Sequence, residues 1–230
     1  MGIRSFRWVP AIVAIALVSA CARDLSFSAN PSSASSVVQA LSTGDTPSTA
    51  VKVAYSGDCP TTDLRSSAMN VELPAIQVSA TAIAYDLFDS TTPQEYGETG
   101  TAFCPVILLL PAGTASVAIR ASASWTYDEW ASTTYNASGD PQATDNPVAN
   151  YARDGIELSS GFPLASLVGL FSDGNKDSVA RGGLKTIFEI GAASTVTVPA
   201  GATLLALAFQ DGYQWNNNTG SARVSITLVP

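Results

Sequence analysis

Histidine is absent from all 230 residues, and that absence removes a large part of enzyme chemistry. No Ser-His-Asp triad, Cys-His dyad or imidazole metal site can be assembled within the chain. Charge is scarce as well, at 13% of residues, and its balance is acidic, −8 overall. Without Arg4 and Arg7 near the start it is more acidic still, so nucleic acid and anionic lipid headgroups are poor partners. Only three cysteines are present, too few for a zinc site that would need four nitrogen or sulfur ligands. The carboxylates Asp128, Glu129, Asp140, Asp145 and Asp154 are scattered through a polar stretch and read as a solvated face rather than as an acid-base pair. The chain is expected not to be an enzyme. Beyond residue 20 there is no convincing helix-period segment. What remains is a series of short apolar or alternating runs separated by Gly, Pro, Asn and Ser, which points to an all-β protein and most economically to a β-sandwich of jelly-roll type.

What is present begins with a leader. Arg4 and Arg7 precede an apolar run from Val9 to Ala20 broken only by Pro10 and Ser19, the layout of a secretory signal over residues 1–20. Leu17-Val18-Ser19-Ala20-Cys21 resembles the bacterial lipobox, which makes Cys21 a candidate for lipidation. Cleavage after Ala22, with Cys21 discarded, is the alternative. The expected location is the cell envelope, as a lipoprotein touching the membrane only through its anchor, or else secretion. Residues 21–50, rich in Ser, Ala, Pro and Thr, read as a flexible tether. Residues 51–103 read as extra strands, starting with Ala50 to Tyr55 and continuing from Val71 to Tyr85, with a turn-rich insertion from Asp86 to Gly100. Cys59 and Cys104 are the two cysteines left after the leader and are expected to form one disulfide in an oxidising compartment.

Residues 104–230 form the clearest block. Val106-Ile107-Leu108-Leu109-Leu110 and the alternating stretch from Ser116 to Tyr127 read as a strand pair across the turn Pro111-Ala112-Gly113. Leu164 to Phe171, Ile187 to Ile190 and Val196 to Val198 supply further strands. The most informative segment runs from Phe209 to Ser221. It lies between the apolar run Leu204 to Phe209 and a period-two strand in which Val224, Ile226 and Leu228 alternate with Arg223, Ser225 and Thr227. Asp211 offers a carboxylate, Asn217 and Asn218 offer amide oxygens, and backbone carbonyls complete an all-oxygen set of the kind a hard cation such as Ca²⁺ takes. An Asx-rich hairpin loop with no ion is the alternative.

In these residues the part from about Phe103 to Pro230 resembles the galactose-binding PA-I-type bacterial lectins, a family of calcium-dependent β-sandwiches. Four stretches carry the likeness in the family's order: Val117 to Tyr127, Pro163 to Gly169, Phe188-Glu189-Ile190-Gly191, and Phe209-Gln210-Asp211 through Asn217-Asn218-Thr219-Gly220-Ser221. The resemblance implies a calcium ion held by Asp211, Asn217 and Asn218, with a carbonyl from Gln214 or Trp215 and another from Tyr127 or Trp125. It also implies a sugar bound on the ion, contacted by Asp211, Asn217, Asp145, Asn146, Trp130 and Tyr213, with Tyr135 and the Trp215 ring as further candidates for packing on a sugar face. Gln210 stands where the family commonly has Asn, the ligand loop differs in length by about a residue from that of the best-known member, and Asp140 to Asn146 replaces a histidine-containing sugar-contact loop. Galactose is therefore one candidate sugar among others. The competing class is a structural or adhesive surface lipoprotein whose sandwich binds protein or carries no ligand at this loop.

Overall fold

The computed structural model describes residues 59–88, 101–127, 133–145, 154–158, 161–211 and 215–230. The leader, Cys21, the tether and the strand expected at 50–55 lie outside the described residues, as does 89–100 of the insertion. What is described is an all-β sandwich. Its twelve strands are β1 (Thr61–Asp63), β2 (Ile76–Ser79), β3 (Val106–Leu109), β4 (Ser116–Thr126), β5 (Thr144–Asp145), β6 (Glu157–Leu158), β7 (Phe162–Pro163), β8 (Leu167–Ser172), β9 (Thr186–Glu189), β10 (Ala193–Thr197), β11 (Leu204–Phe209) and β12 (Thr219–Val229). One sheet has the order β1-β3-β11-β8-β9-β6, the other β10-β4-β12-β2, and β5 pairs with β7 in a short ribbon.

The patterns of the strands explain their places. In β12, Ala222, Val224, Ile226 and Leu228 are buried, and they pair in register with Ala123, Ala121, Ile119 and Val117 of β4. One face of this pair is apolar and the other polar, as expected for a sheet covered on one side. Every residue of β8 and of β11 is buried instead. A 3₁₀ turn at Ala84–Leu87, itself wholly buried, packs against both of these strands, so their continuous apolar runs meet cover beyond the facing sheet. Between the sheets, Trp125 of β4 meets Phe209 of β11 edge to face at 4.7 Å.

One expectation about connectivity, and one element of the alternative reading, are corrected. The stretch 106–110 does not form a strand pair with 116–127: β3 pairs with β1 and β11, whereas β4 pairs with β12 and β10. The turn between them crosses from one sheet to the other, with Pro111 unable to donate to a ladder and Gly113 at φ +85°. Likewise the loop after Phe209 is not a hairpin, because β11 lies in the six-stranded sheet and β12 in the four-stranded one. Between Val71 and Tyr85 only Ile76–Ser79 is a strand, and Val71 is 51% exposed.

Residues 59–88 and 101–104 are integral to the sandwich. Cys59 and Cys104 are bridged, with Cα atoms 5.3 Å apart. Within the segment they close, β1 forms the edge of the larger sheet and β2 the edge of the smaller, which leaves fewer unpaired backbone groups on the main strands.

Among the described residues two ionisable side chains, Asp86 and Lys185, have no exposed surface. Lys185 Nζ donates to the carbonyls of Asp154 at 2.6 Å, Lys176 at 2.7 Å and Ser178 at 2.7 Å. The ammonium also lies 4.5 Å from the centroid of the Phe88 ring. Burial lowers its pKa, and the charges of Asp173, Asp154 and Asp177 oppose that shift.

Candidate functional site

The loop between β11 and β12 is drawn in from both stems. Trp215 opens a 3₁₀ turn, Trp215–Asn217, and its indole Nε1 donates to the carbonyl of Phe209 at 3.3 Å. This contact brings the returning stem back to the end of β11. The amide of Asn218 then donates to the Trp215 carbonyl at 3.2 Å, and β12 begins at Thr219, opposite Thr126 of β4. Gly220 follows at φ +99°, and a Cβ there would lie 2.2 Å from the Ser124 carbonyl oxygen. Only glycine allows β12 to start this close to β4.

Three residues of this loop carry enclosed side-chain oxygens. Asp211 and Asn218 are each 5% exposed, and the Oδ2 atom of Asp211 is enclosed. Asn217 Oδ1 and Asn218 Oδ1 are also enclosed, and neither accepts a hydrogen bond. The Asn218 amide is not loosely placed, because its Nδ2 donates to the carbonyl of Ala80 at 3.1 Å. A buried acceptor left without a donor costs about 1–3 kcal/mol, so two on adjacent residues, in a loop that also holds a buried carboxylate, are a marked feature. The donors are oxygens alone, the chemistry a hard cation takes and a soft metal does not. Among the described residues no three His, Cys, Asp or Glu side chains cluster to hold a metal. Any ion held here would therefore rely on one carboxylate and neutral oxygens.

The remaining candidates divide. The Trp125 carbonyl accepts the amide of Tyr135 at 2.8 Å, and the Trp125 indole donates to the Ala165 carbonyl at 2.7 Å; with 1% exposure this residue serves the core. The Trp215 ring, 2% exposed, is likewise a packing group and offers no face to a sugar, which corrects that expectation. Tyr127 is half-buried, its ring stacked on Tyr135 at 5.3 Å between centroids, and its hydroxyl donates to Asp140 Oδ2 at 3.2 Å. The hydrogen bond with Tyr135, then burial, then Asp140 push the Tyr127 phenol above its ordinary range. Asp140 is held below the usual carboxylate range, first by the Gln142 amide, which reaches its Oδ1 at 2.9 Å. Asp145 lies in β5 opposite Phe162. Asn146, Trp130, Tyr213 and Gln214 lie outside the described residues.

The Asp140 turn and the β11 to β12 loop are stitched to the same short segment. Asp140 N donates to the Leu164 carbonyl at 2.7 Å, Ala165 N to the Gln210 carbonyl at 2.9 Å, and Gln210 N to the Ser166 carbonyl at 2.9 Å. Tyr127, Tyr135 and Asp140 thus form a polar aromatic group at the same end of the sandwich as Asn217 and Asn218. Sequence reasoning missed the part played by Ala80, whose carbonyl accepts Asn218 Nδ2, and by Ala82, whose carbonyl accepts the Phe209 amide at 3.0 Å. They act through backbone atoms, and no side-chain signal marks them.

No family model matches the chain, and no curated protein matches it. Among solved structures, one described as "EclA N-terminal domain; PllA-like lectin" aligns with 68% of this chain and 97% of its own length, at 18% identity and a TM-score of 0.38. At that TM-score the likeness is too distant to bear on fold or function.

Proposed function

We propose that this domain binds carbohydrate through a calcium ion held in the β11 to β12 loop. The observation that carries the proposal is the pair of enclosed, donorless oxygens Asn217 Oδ1 and Asn218 Oδ1, in the loop that begins with the buried Asp211. Asp211, Asn217 and Asn218 would hold the ion. When bound, calcium would supply a positive centre whose remaining positions accept neutral oxygens, water or sugar hydroxyls alike. The chain's own groups then select and orient the ligand. Tyr127, Tyr135 and Asp140 offer ring surface, a hydroxyl and a carboxylate at the same end of the sandwich, and such mixed polar and aromatic groups suit a sugar's two faces. With one carboxylate in the set, calcium affinity belongs at the weak end of the range, about 10⁻⁴ to 10⁻³ M. The leader from Arg4 to Ala20 followed by Cys21 supports an exported, lipid-anchored location, and loss of membrane partitioning in Cys21→Ala would test it. The functional test is calorimetry against a panel of monosaccharides, galactose included, with calcium and with a chelator. Binding that needs calcium is the expected result. Sugar binding indifferent to calcium, or none to any sugar at millimolar concentration, would favour a structural or adhesive role.

A further inference from the structure

The Asn218 amide is oriented by a segment far from it in sequence, and the contacts around that segment form a strap. After β2, Ala80 N donates to the Gly220 carbonyl at 3.1 Å while the Ala80 carbonyl accepts Asn218 Nδ2 at 3.1 Å. Two residues later the Ala82 carbonyl accepts the amide of Phe209 at 3.0 Å. Residues 80–82 therefore grip both stems of the loop: the end of β11 just before Asp211, and the Asn218 to Gly220 step where β12 begins. Ala80 and Ala82 are fully buried, so these backbone bonds do not compete with water. The strap is anchored at its other side by Ile83 N donating to the Phe103 carbonyl at 2.8 Å, next to Cys104 of the disulfide.

We infer that the 80–82 strap is the positioning element of the cation site, and that the Cys59–Cys104 bridge, by closing the segment that carries it, sets the affinity of the site for calcium. This rests on the proposed ion site and adds a control to it. The physical reason is orientation. Asn218 can present its oxygen to an ion only while its nitrogen faces an acceptor, and the Ala80 carbonyl is that acceptor. Fixing a ligand through a second layer of hydrogen bonds typically changes metal affinity by about 10-fold to 100-fold. Opening the covalent loop frees residues 59–104 to fray from the sheet edges, with the strap among them.

The experiment is calcium titration by calorimetry on the full chain with its disulfide formed, on Cys59→Ala/Cys104→Ala, and on Asn218→Asp, each checked for folding by near-ultraviolet circular dichroism. The double cysteine variant is expected to bind calcium about tenfold more weakly or worse. Asn218→Asp tests the same contact without touching the bridge. By charge alone a second carboxylate should tighten binding, but it has no donor for Ala80, so binding no tighter than wild type is expected. Equal affinity of the disulfide-bonded chain and a folded double variant, or tighter binding by Asn218→Asp, overturns the strap while the ion site stands. Absence of calcium binding by the disulfide-bonded chain overturns the ion site and the strap together.

Discussion

Lys185 and the Asn217-Asn218 pair are two answers to one problem, that of oxygens buried in a small sandwich. Around Lys185 three backbone carbonyls converge on an ammonium that the chain itself supplies. At the other place the enclosed oxygens of Asn217 and Asn218 have no donor at all. A lysine tail reaches the first cage and no cationic side chain is bonded to the two amide oxygens of the second. The contrast is that the chain itself supplies the cation at the first place, whereas at the second the amide oxygens stand open, as the proposed calcium ion would require. Stability is therefore expected to depend on Lys185 at all times and on the second site only when calcium is present.

The largest effect expected is for Lys185→Met, which keeps the bulk of the side chain and removes the charge. Three buried carbonyls lose their donor, and a fall of about 3–5 kcal/mol in urea-unfolding stability should follow. A loss under about 1 kcal/mol would show that the cage rehydrates, and the contrast would fail. Next in size is the effect of calcium on the wild-type chain. At about 10 mM calcium and an affinity of 10⁻⁴ to 10⁻³ M, linkage gives about 1.4–2.7 kcal/mol of added stability, visible as a raised thermal midpoint. Asp211→Ala should abolish the rise. An unchanged wild-type midpoint would leave the amide oxygens without their proposed partner.

Asn217→Ala should sharpen the comparison by changing sign with conditions. In chelator it removes an unsatisfied acceptor, and stability should stay within about 0.5 kcal/mol of wild type or improve. In calcium it should lose most of the ion's stabilisation. Destabilisation of the same size in both conditions would mean that the oxygen serves the fold and not an ion. The smallest effect belongs to an exposed pair, Asp63 and Arg65, joined by Arg65 Nε to Asp63 Oδ1 at 2.9 Å. The hydrogen bond from the Arg65 side chain, aided by its backbone amide, holds the Asp63 carboxyl down at about 2, below the ordinary carboxylate value of 3.8. A depressed carboxylate pKa stabilises the fold above the unfolded value and loses that contribution as pH falls through the folded value. Asp63→Asn should therefore cost less than about 1 kcal/mol at neutral pH, with the difference from wild type vanishing as the pH falls below about 2. Equal stability of the two proteins across that whole range would show that solvent screens the pair completely.

Much of the fold was legible because burial writes itself into alternation. The period-two run of β12 named its inner face, and the continuous run of β11 announced a strand covered on both sides. The crossings were not legible. Residues 106–110 and 116–127 flank a turn with good hairpin chemistry, and only tertiary pairing decides that the turn changes sheets instead. The site divides the same way. Asp211, Asn217 and Asn218 stood out as oxygen donors between two apolar runs, whereas the strap consists of alanine backbone and leaves no trace in residue type. The aromatic expectations failed at Trp215 because a ring large enough to cover a sugar is also large enough to fill a core, and here it fills the core.

The two crossings have a consequence for the order in which the domain can form. β4 finds its long antiparallel partner β12 roughly a hundred residues later in the chain, and β3 finds β11 at a similar remove. Neither central pairing can nucleate as a local hairpin, so loop closure must come before the contacts that reward it, and such topologies fold in about milliseconds to seconds rather than microseconds. Until β11 and β12 have emerged, β3 and β4 present unpaired edges and apolar faces. During synthesis the chain is then most exposed to misassociation in the interval between β4 and β11.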